Sequence, residues 1–258
     1  MSSPLSFPAD RTAVLTGAAS ERGIGRATAD LLASQGWHIA ILDIDGDAAA
    51  RAAEHIASRH GVQALGLGTD VSDEDSVDAA VSRIEAELPP AVALLNIAGI
   101  SSPTPFMEET KQGWDRVFAI NMTGTFLVTQ RLLGGMIERG LGRVVSISSI
   151  SAQRGGGTYS KVAYSSSKAG IIGFTRALAR EMGEHNITVN CIAPGPVDTD
   201  IMGGTLTEER KQGMSRDILV GRVGTVQEMA ALMGFLVSEE AGFITAATYD
   251  INGGLQVS

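Results

Sequence analysis

The chain has 258 residues, with 20 Lys plus Arg against 29 Asp plus Glu, a net charge of −9 and a pI near 4.9. An acidic chain repels phosphate backbones and anionic headgroups at long range, so nucleic acid and membrane surfaces are poor partners. A single cysteine, Cys191, leaves no intrachain disulfide, and no stretch approaches the roughly 20 apolar residues of a membrane span. The composition is that of a soluble, cytoplasmic protein.

Met1 to Asp10 shows no basic stretch followed by an apolar run, so it reads as a loose lead-in rather than a secretory leader. Apolar runs of strand length then alternate with longer segments of helical period. Ala13 to Thr16 predicts a strand and Gly25 to Gln35 a helix. Ile39 to Leu42 is the next strand, and the alanine-rich Asp47 to His60 the next helix. Val62 to Leu67 predicts a strand, and Asp73 to Leu88 a helix stopped by Pro89 and Pro90. Val92 to Asn96 is a strand, followed by a long helical region, Lys111 to Arg139, weakened by glycines. Val144 to Ser148, Thr188 to Ile192 and Thr248 to Ile251 predict further strands, and Tyr164 to Met182 and Val226 to Ser238 further helices. Cys191 sits in one of those apolar strands and reads as a small buried residue.

This alternation predicts an α/β fold: one doubly wound domain over residues 11–258, a parallel sheet of about seven strands with helices on both faces. No linker or repeat divides it. Ligands of such sheets bind beyond the carboxyl ends of the strands, and the chemical motifs of this chain fall there.

After the first strand comes a glycine-rich turn that opens a helix, with Gly17, Ser20, Arg22, Gly23, Ile24 and Gly25. Such a turn lets backbone approach a pyrophosphate at a helix N-terminus. Three glycines alone read equally well as an ordinary strand-to-helix turn. Asp43, ending the second strand 18 residues after Gly25 and followed by Ile44, tips the balance. A carboxylate there accepts from ribose hydroxyls and repels a 2′-phosphate, which favours NAD over NADP. Arg22 argues the other way, as a cation able to meet that phosphate. Asp70, with Val71, follows the third strand. It is either an acceptor for an adenine amino group or a helix-entry residue.

Tyr164 and Lys168 lie four residues apart, on one face of a predicted helix. A tyrosine pKa near 10 is too high for a good base, and a nearby ammonium lowers it. Tyr164 then exchanges a proton with an alcohol or carbonyl. That spacing is common by itself. Ser149, 15 residues upstream at a strand end, brings a hydroxyl to orient the substrate oxygen.

Together these motifs resemble the short-chain dehydrogenase/reductase family over essentially the whole chain. The matching residues are Gly17, Gly23 and Gly25; Asn96-Ile97-Ala98-Gly99; Asn121; Ser149; Tyr164 and Lys168; Pro194-Gly195; and Asn252-Gly253-Gly254. The resemblance implies a Rossmann-type domain with Asn121, Ser149, Tyr164 and Lys168 as the catalytic set. It implies that Asn121 holds a water in a relay to Lys168, and that Lys168 also bonds the nicotinamide ribose. Asn96, Ala98 and Gly99 would line the cofactor cleft. Pro194, Gly195, Val197 and Thr199 would meet the nicotinamide end. Two features depart from the family pattern. Five residues separate Gly17 from Gly23, two more than usual, and Ile97 replaces the second Asn of Asn-Asn-Ala-Gly.

By the same resemblance, residues 197–221 form a substrate lid containing Met202. The facing wall takes in Ser151, Gln153, Arg154, Gly156 and Tyr159. This mixed lining favours a small polyol, sugar-derived alcohol or hydroxy acid over a steroid. Arg154 either pairs with a substrate carboxylate or is a solvated loop residue. His38, His55, His60 and His185 show no metal-ligand spacing, so no metal is expected. The expected activity is NAD-linked oxidation of alcohols or reduction of ketones. The alternatives are a 3-oxoacyl-carrier-protein reductase and a non-catalytic nicotinamide-binding regulatory protein. The apolar C-terminal region, Phe243 to Val257, suits packing in a homotetramer, the assembly that the resemblance implies.

Overall fold

A computed structural model describes residues 6–157, 160–202 and 204–257, and only the backbone of Met202. Among the described residues the strands are β1 Thr12–Thr16, β2 His38–Asp43, β3 Ala64–Gly68, β4 Ala91–Asn96, β5 Gly142–Ile147, β6 Ile187–Pro194 and β7 Thr248–Ile251. They form one sheet in the order β3-β2-β1-β4-β5-β6-β7, with every neighbouring pair parallel. The chain winds outward from β1 to β3, then returns to place β4 on the other side of β1. That reversal opens a crevice above the carboxyl ends of β1 and β4.

The strands read as unbroken apolar runs because helices cover both faces. Residues β1, β4 and β6 contribute are buried along their whole length. Side chains alternate between two cores. Leu15, Ile41, Leu95 and Ile192 pack with α1 (Ile24–Ser34), α2 (Gly46–His60) and α9 (Val226–Leu236). Val14, Leu42, Leu94 and Val144 pack with α3 (Glu74–Glu87) and α5 (Gly124–Arg139). The helix α2 turns Ala49, Ala52, Ala53 and Ile56 inward at helical spacing. Its small side chains bring its backbone against Gly66 of β3, where a Cβ would have no room. Among the described residues no helix is long and apolar enough to cross a membrane.

Two local features differ from expectation. The long helical region divides into α4 (Lys111–Phe118) and α5, joined by a π-turn over Ala119–Thr123. Such turns insert one residue into a helix and often mark functional positions; this one carries Asn121. The expected lead-in is anchored from Phe7 onward. Phe7 is buried, meets the Trp37 ring edge-on at 5.7 Å, and lies 4.9 Å from the Arg143 guanidinium. Its backbone N–H donates to Glu239.

Candidate active site

The glycine turn is built by close approach. Gly17 has φ +66°, and a Cβ there would stand 2.7 Å from the Ala98 Cα. Only glycine takes that conformation in that space without strain. Gly25 packs back onto Gly17, its added Cβ falling 2.6 Å from the Gly17 carbonyl oxygen. Thr16 Oγ1 accepts from both Ile97 and Ala98 N–H at 3.0 Å, which fixes the segment after β4 beside the turn. Asp43 Oδ2 accepts the Ala19 N–H at 3.0 Å and ties the turn to β2. The N-terminus of α1 has no side-chain cap and no acid in its first turn, so its N–H groups face the crevice ready for an anion.

A cavity of about 720 Å³ follows. At one end are Asp43, Ile44, Asp70 and Val71. In the middle are Gly17, Ser20, Gly23, Ile24, Ala98 and Gly99. At the far end are Tyr164 and Lys168. An uncapped helix start, a glycine cradle and a carboxylate at the β2 end fit a dinucleotide. Asp70 is largely engaged locally. Its Oδ1 accepts from the Ser72 hydroxyl at 2.7 Å and the Ser72 N–H at 2.9 Å, and these bonds lower its pKa. Asn96 is buried below the cavity, donating to Thr129 Oγ1 at 2.9 Å.

Arg22 is turned away from this cavity. One guanidinium nitrogen lies 2.6 Å from Asp198 Oδ1, and Nε lies 3.8 Å from Asp200 Oδ1. Ser20 Oγ donates to Asp200 at 2.9 Å. The lengthened turn therefore reaches across to the segment 197–221. That segment holds a short 3-10 turn, Asp200–Met202, and α8, Glu208–Ser215. Asp198 also accepts from the Leu206 N–H at 3.1 Å and from Lys211 at 3.0 Å. The Leu206 N–H and then the Lys211 ammonium hold its carboxyl below the usual range.

The catalytic candidates come together where β5 meets α7 (Val162–Met182). Ser148 Oγ donates to the Lys168 carbonyl at 2.7 Å, clamping the helix to the strand end. Ser148 stands beside Ser149 in a Ser-rich strand end, where adjacency to Ser149 is its one sequence signal. Lys168 is 3% exposed, and its Nζ donates to the Ile147 carbonyl at 2.9 Å. Burial pushes its pKa down to about 8. Burial pushes the Tyr164 phenol up, while a hydrogen bond with Ser149 opposes that shift. The expected lowering by Lys168 is not among the causes: the ammonium is engaged by Ile147 and lies 5.8 Å from the centre of the tyrosine ring.

Asn121 is fully buried, and its carboxamide is engaged on three sides. Its Oδ1 accepts the Ile100 N–H at 2.9 Å, and its Nδ2 donates to the Ile100 carbonyl at 3.1 Å and to Ser167 Oγ at 3.0 Å. Gly99 brings this group to the lysine. A Cβ on Gly99 would lie 3.0 Å from Asn121 Oδ1 and 3.3 Å from Lys168 Nζ.

A second cavity, of about 520 Å³, opens on the other side of Ser149 and Tyr164. Ser151, Arg154 and Gly156 line one wall, with Pro194, Gly195, Val197 and Thr199 beside them. Tyr164 and Thr199 border both cavities. Gln153 points elsewhere and donates to Asp250 at 2.7 Å. Tyr159 and the Met202 side chain lie outside the described residues. Arg210, on α8, also lines this cavity, and no local pattern marked it.

Residues 17–256 match the family described as enoyl-(acyl carrier protein) reductase. The chain is 40% identical over 248 residues to a Sinorhizobium fredii protein named as an uncharacterised short-chain type dehydrogenase/reductase, covering 96% of this chain and 98% of the relative. It is 40% identical over 245 residues to a 3-oxoacyl-[acyl-carrier-protein] reductase of Aquifex aeolicus, covering 95% and 97%. It is 38% identical over 247 residues to an acetoacetyl-CoA reductase of Rhizobium meliloti, covering 95% and 98%.

Proposed function

The chain belongs to the short-chain dehydrogenase/reductase family of oxidoreductases, and from that premise we propose that it moves a hydride between NAD(H) and a secondary alcohol or ketone on a small polar substrate. The observation that carries this reading is the position of Tyr164, which borders both the dinucleotide-shaped cavity and the second cavity, beside Ser149. The bound nicotinamide supplies or accepts the hydride. Tyr164 gives its phenolic proton to a carbonyl oxygen, or takes one from an alcohol. Ser149 donates to the same oxygen and orients it. Lys168 holds positive charge beneath the site, and Asn121 stations a water behind it for proton relay.

NAD is favoured because Asp43 borders the adenosine end and Arg22 is engaged by Asp198. A 2′-phosphate would meet a carboxylate. Initial rates with NADH and NADPH on a panel of ketones test this, and a clear preference for NADPH overturns the Asp43 assignment.

A second reading, 3-oxoacyl-carrier-protein reductase, is favoured by what the Aquifex relative is named for. It calls for high turnover of a carrier-protein thioester with NADPH. The assembly that accompanies either reading is a homotetramer, and a monomer in light scattering contradicts it.

A further inference from the structure

Ser167 precedes Lys168 in α7 and is fully buried. Its hydroxyl is used in both directions. Oγ donates to the Tyr164 carbonyl at 2.8 Å and accepts from Asn121 Nδ2 at 3.0 Å. Side chains of a helix lean toward its N-terminus, so a serine three residues beyond the tyrosine brings its hydroxyl to that carbonyl. Ser167 lines neither cavity.

The backbone of Ile100 settles the direction of these bonds. Its N–H can only donate, so the atom it meets at 2.9 Å is Asn121 Oδ1. Its carbonyl can only accept, so the atom at 3.1 Å is Nδ2. One hydrogen of Nδ2 is thereby spent on Ile100, and the other has Ser167 Oγ as its acceptor. Nδ2 accepts nothing in return, so the hydroxyl places its own proton on the Tyr164 carbonyl. The result is a continuous chain of bonds from the Asn121 carboxamide to the backbone of Tyr164.

Both ends of that chain stand in segments that need outside anchors. Asn121 lies in the π-turn, which interrupts the regular helical ladder, and Tyr164 in the first turn of α7, where N–H groups lack helical partners. Gly170 lets the two segments close up further along α7: a Cβ there would stand 2.9 Å from the sulfur of Met122.

We infer that Ser167 is a positioning residue for proton resupply, holding the Asn121 carboxamide in register with Tyr164 and Lys168. This rests on the reading that Tyr164 exchanges the substrate proton. Once a carbonyl has been reduced, the Tyr164 oxygen has given up its proton and regains one from solvent water. That water is stationed on the side where Asn121 Oδ1 and Lys168 Nζ both border Gly99. Without the Ser167 hydroxyl, a buried Nδ2 hydrogen has no acceptor, and the carboxamide shifts to find one.

The test is a double-mutant cycle, Ser167→Ala against Asn121→Ala, on whichever ketone of the panel the wild type reduces fastest. Ser167→Ala is expected to lower kcat about tenfold, with KM and calorimetric cofactor affinity kept within about twofold. The solvent isotope effect on kcat should rise, because proton resupply is the step that slows. In the Asn121→Ala background the same change should cost less than about twofold, since the group it positions is gone. A merely structural serine moves stability and leaves the isotope effect alone. Effects that multiply in the double variant overturn the inference, and so does a Ser167→Ala enzyme with wild-type kcat. Ser167→Cys, a weaker donor and acceptor of similar size, serves if the alanine form does not fold. Its kcat should fall below that of the wild type, and full activity with the thiol overturns the inference. Hydrogen exchange of the enzyme without cofactor reads the bond independently of turnover: residues 119–123 should exchange faster in Ser167→Ala, and unchanged exchange also overturns it. If Tyr164→Phe keeps its turnover, the reading of the site falls and the inference with it. If Tyr164→Phe is inactive and Ser167→Ala matches the wild type, the inference alone falls.

Discussion

The two walls of the site are held by different physics. The helix α7 carries Tyr164 and Lys168 and buries Ala163, Ile171, Thr175 and Ala179 against the sheet. Ser148 clamps it to β5. The helix α8 of the segment 197–221 has no buried residue among those described. That segment buries Val197, Leu206 and Ile218 around it, and Asp198 and Asp200 tie it to Arg22, Lys211 and Ser20. Packing of the first kind is stiff and close to all-or-none. Partly exposed ion pairs are each worth about 0–1 kcal/mol and weaken with salt. The wall that carries Tyr164 and Lys168 is thus the more tightly packed of the two, and α8 is the part of the other that rests on polar contacts.

The sharpest break of this contrast is at Lys168, where function sits inside the rigid wall at a cost. Burial lowers its pKa from 10.5 to about 8, so the folded state holds this proton less tightly than the unfolded chain. The penalty is fully present below pH 8 and disappears as pH rises through 10.5. Lys168→Met is expected to lose turnover by about a hundredfold or more, and to gain about 2 kcal/mol of stability at pH 7 once the lost bond to Ile147 is counted. Urea unfolding at pH 7 and at pH 10.5 checks this: the gain shrinks at the higher pH. A variant destabilised at pH 7 would show that the ammonium is better accommodated than its burial implies.

The same group sets a second, smaller effect. Ketone reduction by the wild type is expected to decline above about pH 8 as Lys168 loses its charge, approaching tenfold per pH unit in kcat/KM. A profile flat to pH 10 removes Lys168 from the proton path.

The lid side carries the smallest effect. Arg22→Ala removes the bond to Asp198 and leaves the cofactor cavity lining intact. Trypsin cleavage at Arg210 or Lys211 should quicken by up to about fivefold, with a matching rise in KM and little change in kcat. High salt should produce the same trend in the wild type. A large shift toward NADP rejection in Arg22→Ala would instead place this arginine at the cofactor.

These two walls also differ in how far the sequence exposes them. The strands were legible because parallel strands buried on both faces are short apolar runs, and Ser149 just after β5 and Tyr164 and Lys168 on α7 were legible as candidates by their spacing beyond those strand ends. Predicted and observed strand ends differ by only one or two residues, as at Ala13 against Thr12. Arg22 and Asp198 are 176 positions apart. No local periodicity marks such a pair, so the destination of the lengthened turn was not legible. Nor was the π-turn at Asn121, since its glycine-poor sequence, Ala119 to Thr123, carries no breaker. Phe7 belongs with these: its partners Trp37, Arg143 and Glu239 are distant in the chain.

The central claim is that Tyr164 exchanges the substrate proton in a site otherwise complete without it. Wild type and Tyr164→Phe should be compared on one 3-oxo acid by nicotinamide absorbance, with cofactor affinity measured separately by calorimetry. The expected result is a loss of turnover of about a thousandfold with cofactor affinity kept within a few-fold. Near-normal turnover in the phenylalanine variant would contradict the account.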